Sequence, residues 1–243
     1  MKKGKYNLTV TYNEACTEKF YNINVGQSLE ADSTFLPYSI LESKLVFDTK
    51  PIDLGEYIHA CKFNNDLNIA KYNYLNEIIW SLNFNQHDYT SAKLYLNSLN
   101  QIIVIASRTD HDVLFLRLDQ LGNILAEKVL DFERNGDPFY STGISGVTEV
   151  NPNKYFFSMS PRVDGDWEMC YTAIDSSGMA YFSRSLTASE DAKMTDIEYS
   201  SDAQYVYATG TNQFGNQEKK YALMRIDPNN GAMKWRRIFG GDH

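Results

Sequence analysis

The stretch LDQLGNILAEKVL, residues 118–130, decides the fold, because a version of it returns later in the chain as IDPNNGAMKWRRIF, residues 226–239. Both stretches place an aspartate after an apolar strand, a glycine three or four residues later, and a second strand after the glycine. The aspartate side chain can accept hydrogen bonds from backbone N–H groups of the turn, and glycine adopts a positive φ at little steric cost. The pattern therefore predicts two antiparallel strands joined by a tight turn.

This unit occurs four times, and the equivalent turn positions are Asn73, Asp119, Asp175 and Asp227. Successive positions are 46, 56 and 52 residues apart. Each unit contains three strands, and a further strand fits in the gap before it. Four strands at a period of about 50 residues are typical of a β-propeller blade. We therefore expect an all-β fold, a β-propeller or propeller-like array of four-stranded antiparallel blades, with about four to five blades.

The repeat also predicts the domain organisation. We expect a single β-propeller domain over residues 1–243, with irregular N-terminal strands in residues 1–40 that could complete a fifth blade, cap the domain or form a separate element. The predicted blades cover about 40–86, 88–133, 140–187 and 190–241. An arc of a larger propeller that lies partly outside this chain is the other arrangement. We favour the compact domain, because an open arc exposes sheet faces and edges that invite aggregation.

Composition excludes several classes of protein. The net charge of −8 and the pI near 5.0 argue against a nucleic-acid partner, because a phosphate-binding surface needs clustered lysines and arginines. No run reaches the ~20 apolar residues of a membrane span. The three cysteines, Cys16, Cys61 and Cys170, have the spacing of neither a disulfide framework nor a zinc site, and we expect buried thiols.

No stretch of the sequence has a recognisable catalytic motif. G-x-S-x-G, a glycine-rich phosphate loop and H-E-x-x-H are absent, so we predict no catalytic residue, no cofactor and no metal site. Asp164-Gly165-Asp166 resembles half of a calcium loop, but the closing glutamate is missing. Because Asp-Gly is a strong hairpin signal, a turn is favoured there. His111, between two aspartates, is favoured as a solvated turn residue.

The remaining candidates are aromatic and polar residues in loops. Propeller blades fix the positions of loops whose length varies, and the loop between the first two aligned strands lengthens from unit to unit. We therefore predict a non-catalytic protein-interaction or scaffold module. The alternative is a carbohydrate-binding or glycan-processing propeller of the cell envelope. The predicted partner or ligand surface comprises Trp167, Asp164, Asp166, Phe214, Asn216, Tyr140 and His111.

The pattern of a strand, D-x-x-G-x, and a strand that contains Trp and ends in F-G-G resembles bacterial β-propeller repeat proteins. It resembles pyrroloquinoline-quinone-type propellers more distantly, without the neighbouring cysteines and calcium constellation of those enzymes. The resemblance covers roughly residues 40–243 and implies that a Trp after the turn packs between adjacent blades. The corresponding positions are Trp80, Ala126 (or Leu125), Tyr181 and Trp235. The resemblance also implies an exported or cell-envelope protein, although no signal peptide is visible in this sequence, so the compartment stays open.

Overall fold

The computed structural model describes residues 5–12, 16–24, 45–52, 55–85, 87–109, 112–134, 137–138, 140–163, 165–186, 192–212 and 220–240. The chain divides into two compact units, Met1–Leu41 and Glu42–His243. In the first unit, β1 (Lys5–Tyr12) pairs antiparallel with β2 (Cys16–Asn24). The assignment of all 243 residues to one domain stays a prediction.

The second unit consists of four antiparallel sheets, and within each sheet the strands pair in chain order. Sheet 1 contains β3 (Leu45–Pro51), β4 (Tyr57–Phe63), β5 (Asp66–Tyr72) and β6 (Ile78–Phe84). Sheet 2 contains β7 (Tyr89–Leu96), β8 (Ile102–Arg108), β9 (Val113–Leu118) and β10 (Ile124–Leu130). Two short strands, β11 (Glu133–Arg134) and β12 (Asp137–Pro138), pair with each other after sheet 2.

Sheet 3 contains β13 (Tyr140–Asn151), β14 (Lys154–Val163), β16 (Met169–Asp175) and β17 (Ala180–Leu186), and the short β15 (Asp166–Trp167) pairs with β14. Sheet 4 contains β18 (Ala192–Ser200), β19 (Tyr205–Asn212), β20 (Lys220–Ile226) and β21 (Met233–Phe239). The predicted four-stranded antiparallel units are therefore confirmed. No helix in the described ranges is long and apolar enough to cross a membrane.

Three buried hydrophobic clusters lie between consecutive sheets, because the strand alternation supplies apolar side chains to both faces of a sheet that is covered on both sides. Members of these clusters are Ile69 and Val104 between sheets 1 and 2, Phe115 and Phe157 between sheets 2 and 3, and Tyr171 and Met224 between sheets 3 and 4. Cys61 and Cys170 are buried and form no disulfide, as predicted; the side chain of Cys16 lies outside the described part of the chain.

The turn between the third and fourth strands of each sheet forms as predicted. Asp119 Oδ1 accepts hydrogen bonds from the N–H groups of Leu121 and Asn123, both at 2.9 Å. In sheet 1, Asn73 Oδ1 accepts the two corresponding bonds at 2.9 and 3.0 Å. Asn76 takes the place of the turn glycine there, with a positive φ of 63°. The first turn is therefore of the same kind as the others.

The first strand of each sheet contains a β-bulge, which the sequence did not reveal; the bulges lie at equivalent places in sheets 1, 3 and 4 and are offset by two residues in sheet 2. The extra residues are Phe47, Thr90, Ser145 and Thr195. Hydroxyl groups at two of the bulges bind the next sheet: Ser91 Oγ accepts from the N–H of Ile144, and Ser145 Oγ donates to the carbonyl of Met194, each at 2.8 Å. A bulge bends the strand and increases its local twist, so each first strand departs from a regular ladder at this point.

Candidate functional site

The contact between sheets 1 and 2 shows how one sheet receives the turn of the next. The indole N–H of Trp80 donates to the carbonyl of Gln120 in the turn of sheet 2, at 3.0 Å. Gly122 of the same turn lies against the ring, and a Cβ there would be 2.8 Å from Trp80 Cδ2. Lys71 Nζ is 3.4 Å from the Gln120 carbonyl and 2.8 Å from a Glu56 oxygen. A ring and a cation of sheet 1 thus hold the turn of sheet 2.

The contact between sheets 3 and 4 repeats this arrangement. A Cβ on Gly231 would be 2.3 Å from Phe182 Cε2, so the turn of sheet 4 approaches this ring closely. Lys154 Nζ lies 5.5 Å from the centre of the same ring and donates to the carbonyl of Asn229 at 3.4 Å. The hydroxyl of Tyr171 donates to the carbonyl of Gly231 at 2.7 Å. A ring and a cation again hold a turn.

The docking residue of sheet 3 is Phe182, whereas the sequence pointed to the neighbouring Tyr181. Phe182 pairs with Ala173 across the sheet, as Trp80 pairs with Lys71. The same register shift occurs at this place in all four sheets, and Phe182 lies seven residues after Asp175, as Trp80 lies seven residues after Asn73. Tyr181 is 55% exposed.

Sheet 2 has Ala126 at the docking position, in agreement with the sequence alignment. Other side chains replace the missing ring. A Cβ on Gly178 would be 2.7 Å from both Phe115 Cδ1 and Lys128 Cβ. The turn glycine therefore meets a close neighbour at all three contacts between sheets, although the neighbour differs.

Sheet 4 presents an equivalent arrangement on the face that points away from sheet 3. Trp235 pairs with Arg225 across β20 and β21, as Trp80 pairs with Lys71. Its ring centre is 6.3 Å from that of Tyr207. We define the open face as Tyr207, Tyr221, Arg225, Trp235 and Phe239.

The exposure of one position shows what distinguishes this face. Tyr221 is the second residue of β20, and its equivalents in the other sheets are Leu67, Val113 and Met169. All three equivalents are 0% exposed, whereas Tyr221 is 67% exposed. A position that is buried between sheets three times is therefore accessible on sheet 4.

The second strands of the sheets end at Phe63, Arg108, Val163 and Asn212 and the third strands begin at Asp66, Val113, Met169 and Lys220, and the predicted loop surface belongs to this end of the sheets. Adjacent sheets are tied together at this end. The N–H of Tyr89 donates to the carbonyl of Asn65 at 3.1 Å, and Lys193 Nζ is 4.2 Å from the centre of the Trp167 ring. We call this surface the loop end.

The structure describes side chains for two of the seven predicted surface residues. Trp167 and Asp166 form β15 and lie together at the loop end, Trp167 partly buried and Asp166 exposed. Tyr140 begins β13, and its side chain lies outside the described part of the chain. The predicted residues that fall outside the described ranges are Asp164, His111, Phe214 and Asn216.

A groove of about 270 Å³ opens at the loop end between sheets 1 and 2. Asn83, His87, Arg108 and Glu127 contribute its polar lining. Arg108 is 5% exposed, contacts His87 Nε2, and lies 3.7 Å from a carboxylate oxygen of Asp112. Sequence reasoning missed Arg108 because it ends the apolar strand IIVIASR; a charged residue that closes a fully buried strand is the signal that was available.

The sequence matches no protein-family model and has no significant match among curated proteins. Among solved structures, the chain is similar to the Dos1 propeller, at 12% identity and a TM-score of 0.54 over 80% of this chain and 47% of that one. The four sheets are propeller blades.

Two further structures resemble the chain. One is a protein from Bifidobacterium bifidum s17 named as an exo-beta-1,3-galactanase, at 13% identity and a TM-score of 0.51 over 79% of this chain and 72% of that one. The other is a protein of unknown function from Bacteroides caccae, at 8% identity and a TM-score of 0.49 over 90% of this chain and 65% of that one. The chain thus spans less than two thirds of the Dos1 propeller and of the Bacteroides protein.

Carboxylates on the first strands of the blades bind neighbouring strands. Asp48 Oδ2 accepts from the N–H of Leu94 at 2.9 Å, and Glu198 Oε1 accepts from the Thr148 hydroxyl at 3.4 Å. Partial desolvation raises the pKa of the Glu198 carboxyl above its ordinary value, although the side chain is exposed, and the charge of Asp196 adds to the rise. Within the described ranges, His, Cys, Asp and Glu form no group of three that could hold a metal ion.

Proposed function

We propose that the chain is a non-catalytic protein-interaction module that presents its loop end to a protein partner. The supporting observation is the groove between the first two blades, with Trp167 on the same end. Blades that pack through buried clusters hold these features in fixed positions, while the connections between strands differ from blade to blade. Such a surface suits recognition of a folded partner.

The size and charge of the groove favour a protein partner over other ligands. Pockets that enclose drug-sized molecules measure about 300–1,000 Å³, and this groove is smaller at about 270 Å³. It accepts one or two side chains of a partner. Arg108 and Glu127 place opposite charges in its lining, and the chain has a net charge of −8, which disfavours a nucleic acid.

Site-specific photo-cross-linking in the cells that produce the protein tests this proposal. A photoreactive phenylalanine analogue replaces Asp166 at the loop end in one variant and Leu121 at the opposite end in the control. Both positions are exposed, and Leu121 is 78% exposed. We expect a discrete protein adduct at Asp166, identified by mass spectrometry, and none at Leu121. Equal yields at both ends, or no protein adduct, would contradict the proposal.

A groove-filling variant sharpens this test. Asn85 lines the groove and is exposed, so Asn85→Trp fills the space without removing a buried group. We expect it to abolish the adduct formed at Asp166 and to leave the thermal unfolding midpoint within about 2 °C. Leu121→Trp, on the opposite end, is the matched control and keeps the adduct. Retention of the adduct in Asn85→Trp would place the contact outside the groove.

Glycan processing is the second candidate, and Glu198 is the observation that favours it. Glycoside hydrolysis by two carboxyl groups needs one acid whose pKa is raised, near a second carboxylate. Partial desolvation raises the pKa of the exposed Glu198 carboxyl, and the charge of Asp196 raises it further. If this function holds, the protein hydrolyses β-linked galacto-oligosaccharides, and Glu198→Gln lowers the rate at least about 100-fold. An equal rate in Glu198→Gln would exclude this role for Glu198.

A further inference from the structure

The open face of the fourth blade has the composition of a contact between blades. Its ring and cation, Trp235 and Arg225, occupy the positions at which Trp80 and Lys71 hold the turn of the second blade. We propose that the open face docks a further four-stranded blade, supplied by a partner polypeptide, whose Asp-x-x-Gly turn contacts Trp235 and Arg225. Trp235 and Arg225 lie next to the turn between the third and fourth strands, at the opposite end of the blade from the loop end, and the proposal stands independently of the one above.

The contact between the first two blades shows what such a turn has to offer. Trp80 uses its N–H for a backbone carbonyl, that of Gln120 at 3.0 Å, and its ring for the glycine that follows, Gly122. The cation beside it, Lys71, approaches the same carbonyl at 3.4 Å. A partner turn that contacts Trp235 in the same way therefore needs an exposed carbonyl and, two residues later, a glycine.

The open face also has a cationic side chain, Arg225, at the position of Lys71. The guanidinium carbon of Arg225 lies 3.5 Å from the centre of the Tyr205 ring, so Arg225 is held flat against the sheet. Arg237, also on this face, lies 5.4 Å from the centre of the Trp235 ring. A face with two arginines complements a turn that begins with an aspartate, because opposite charges attract where the surface is desolvated.

A second copy of this chain is a poorer occupant than a partner blade. The first blade has one face, opposite to the second blade, that is not packed against another described blade. The turn of this first blade has Asn76 where the turns of the other blades have glycine. At the contact between the first two blades, a Cβ at this position would be 2.8 Å from the Trp80 ring. The side chain of Asn76 would therefore keep the turn of a second copy away from Trp235.

The experiment uses a tethered blade as the probe. A duplicate of residues 85–130, the second blade with the connection that leads into it, is appended after Phe239. Phe239 corresponds to Phe84, since these residues pair with Tyr221 and Leu67 at equivalent positions. The indole N–H signals of the tryptophans are then followed by NMR. We expect the Trp235 signal to move towards that of Trp80, and its exchange with solvent to slow at least about tenfold.

The control differs from the probe by one residue. It is the same extension with Gly122→Val in the duplicate alone, which blocks the close approach of the turn to Trp235. The Trp235 signal is expected to stay as in the unaltered chain. A Trp235 signal that the first extension leaves unchanged, or that both extensions move equally, would overturn the proposal.

The unaltered chain provides a second measurement that does not depend on the extension. We expect its Trp235 N–H to exchange freely at every protein concentration. Protection that increases with concentration would make a second copy the occupant. Protection at all concentrations would mean that the chain itself covers the face, and a shift on titration with galacto-oligosaccharides would make the face a glycan site. Each of these results would overturn the partner-blade proposal.

Discussion

Trp80 and Trp235 occupy the same position in two blades and have different surroundings. Trp80 donates a hydrogen bond to the second blade and lies against its turn glycine. Trp235 lies among Tyr207, Arg225 and Arg237 of its own blade. The repeat therefore determines the shape of the blade and the place of the ring, and the neighbouring blade determines how much stability the ring contributes.

The largest difference is expected from removal of the two rings. Trp80→Ala leaves a cavity between two blades and removes a hydrogen bond, so we expect it to lower the free energy of unfolding by about 3 kcal/mol or more. Trp235→Ala, its matched control, removes a ring from an accessible face and is expected to cost about 1 kcal/mol or less. Chemical denaturation measures both. Equal losses would mean that Trp235 is as fully packed as Trp80.

The turn glycine gives the next largest effect. Gly122 has a φ of +85°, and a Cβ there would overlap the Trp80 ring, so Gly122→Ala combines backbone strain with a steric clash. We expect a loss of about 2–4 kcal/mol. Gly165 has a similar φ of +97° with open space around it, and Gly165→Ala is expected to cost only the strain, about 1–2 kcal/mol. If the two losses were equal, packing on Trp80 would contribute nothing.

The stability of the protein at alkaline pH depends on a residue in a contact between two blades and not on its equivalent on the open face. Burial raises the pKa of Tyr171, between blades 3 and 4, from 10.0 to about 12. Above pH 10 the unfolded chain loses this proton and the folded chain keeps it. Stability therefore falls as pH rises from about 10 to about 12, by about 2–3 kcal/mol. Tyr171→Phe should remove that part of the pH dependence, as followed by denaturation at fixed pH. Its equivalent on the open face is Leu223, which does not titrate.

The smallest effect concerns the turns themselves. Hydrogen bonds from Asn123, through its side chain and its backbone N–H, hold the pKa of Asp119 below its ordinary value. The stabilisation is present above the unfolded pKa of about 3.9 and is lost as pH falls through the lower folded value. Hydrogen exchange should show falling protection of the Leu121 amide in acid, while the Leu75 amide at the Asn73 turn keeps its protection. A parallel loss at both turns would contradict this.

The sequence predicted the blades because three independent sequence features agreed. The turn signature of Asp119 and Asp227, the apolar strands around it and the period of about 50 residues all pointed to one four-stranded unit. The bulges in the first strands were not predictable, since the residue that is left unpaired depends on how the first and second strands of a blade pair. Phe182, in contrast, was predictable, because it lies seven residues after Asp175, as Trp80 lies seven residues after Asn73.

The candidate site was harder to predict than the fold. Trp167 and Asp166 were identified because they follow a turn signal, and the structure places them together on β15. The groove was missed because its lining comes from five consecutive strands, β6 to β10, with Arg108 and Glu127 in different strands of the second blade. The open face of the fourth blade was also missed, because accessibility depends on which blade has a neighbour and not on the strand pattern.

The repeated bulge has a consequence for how the chain avoids mispairing. Each first strand forms one edge of its sheet, and an unprotected edge can add a strand from another molecule. The bulge at Thr90 interrupts the regular ladder of that edge, and the Ser91 hydroxyl, next to it, accepts the N–H of Ile144 from the neighbouring edge. The bulge and the hydroxyl beside it therefore make this edge a poor template for a strand from another molecule.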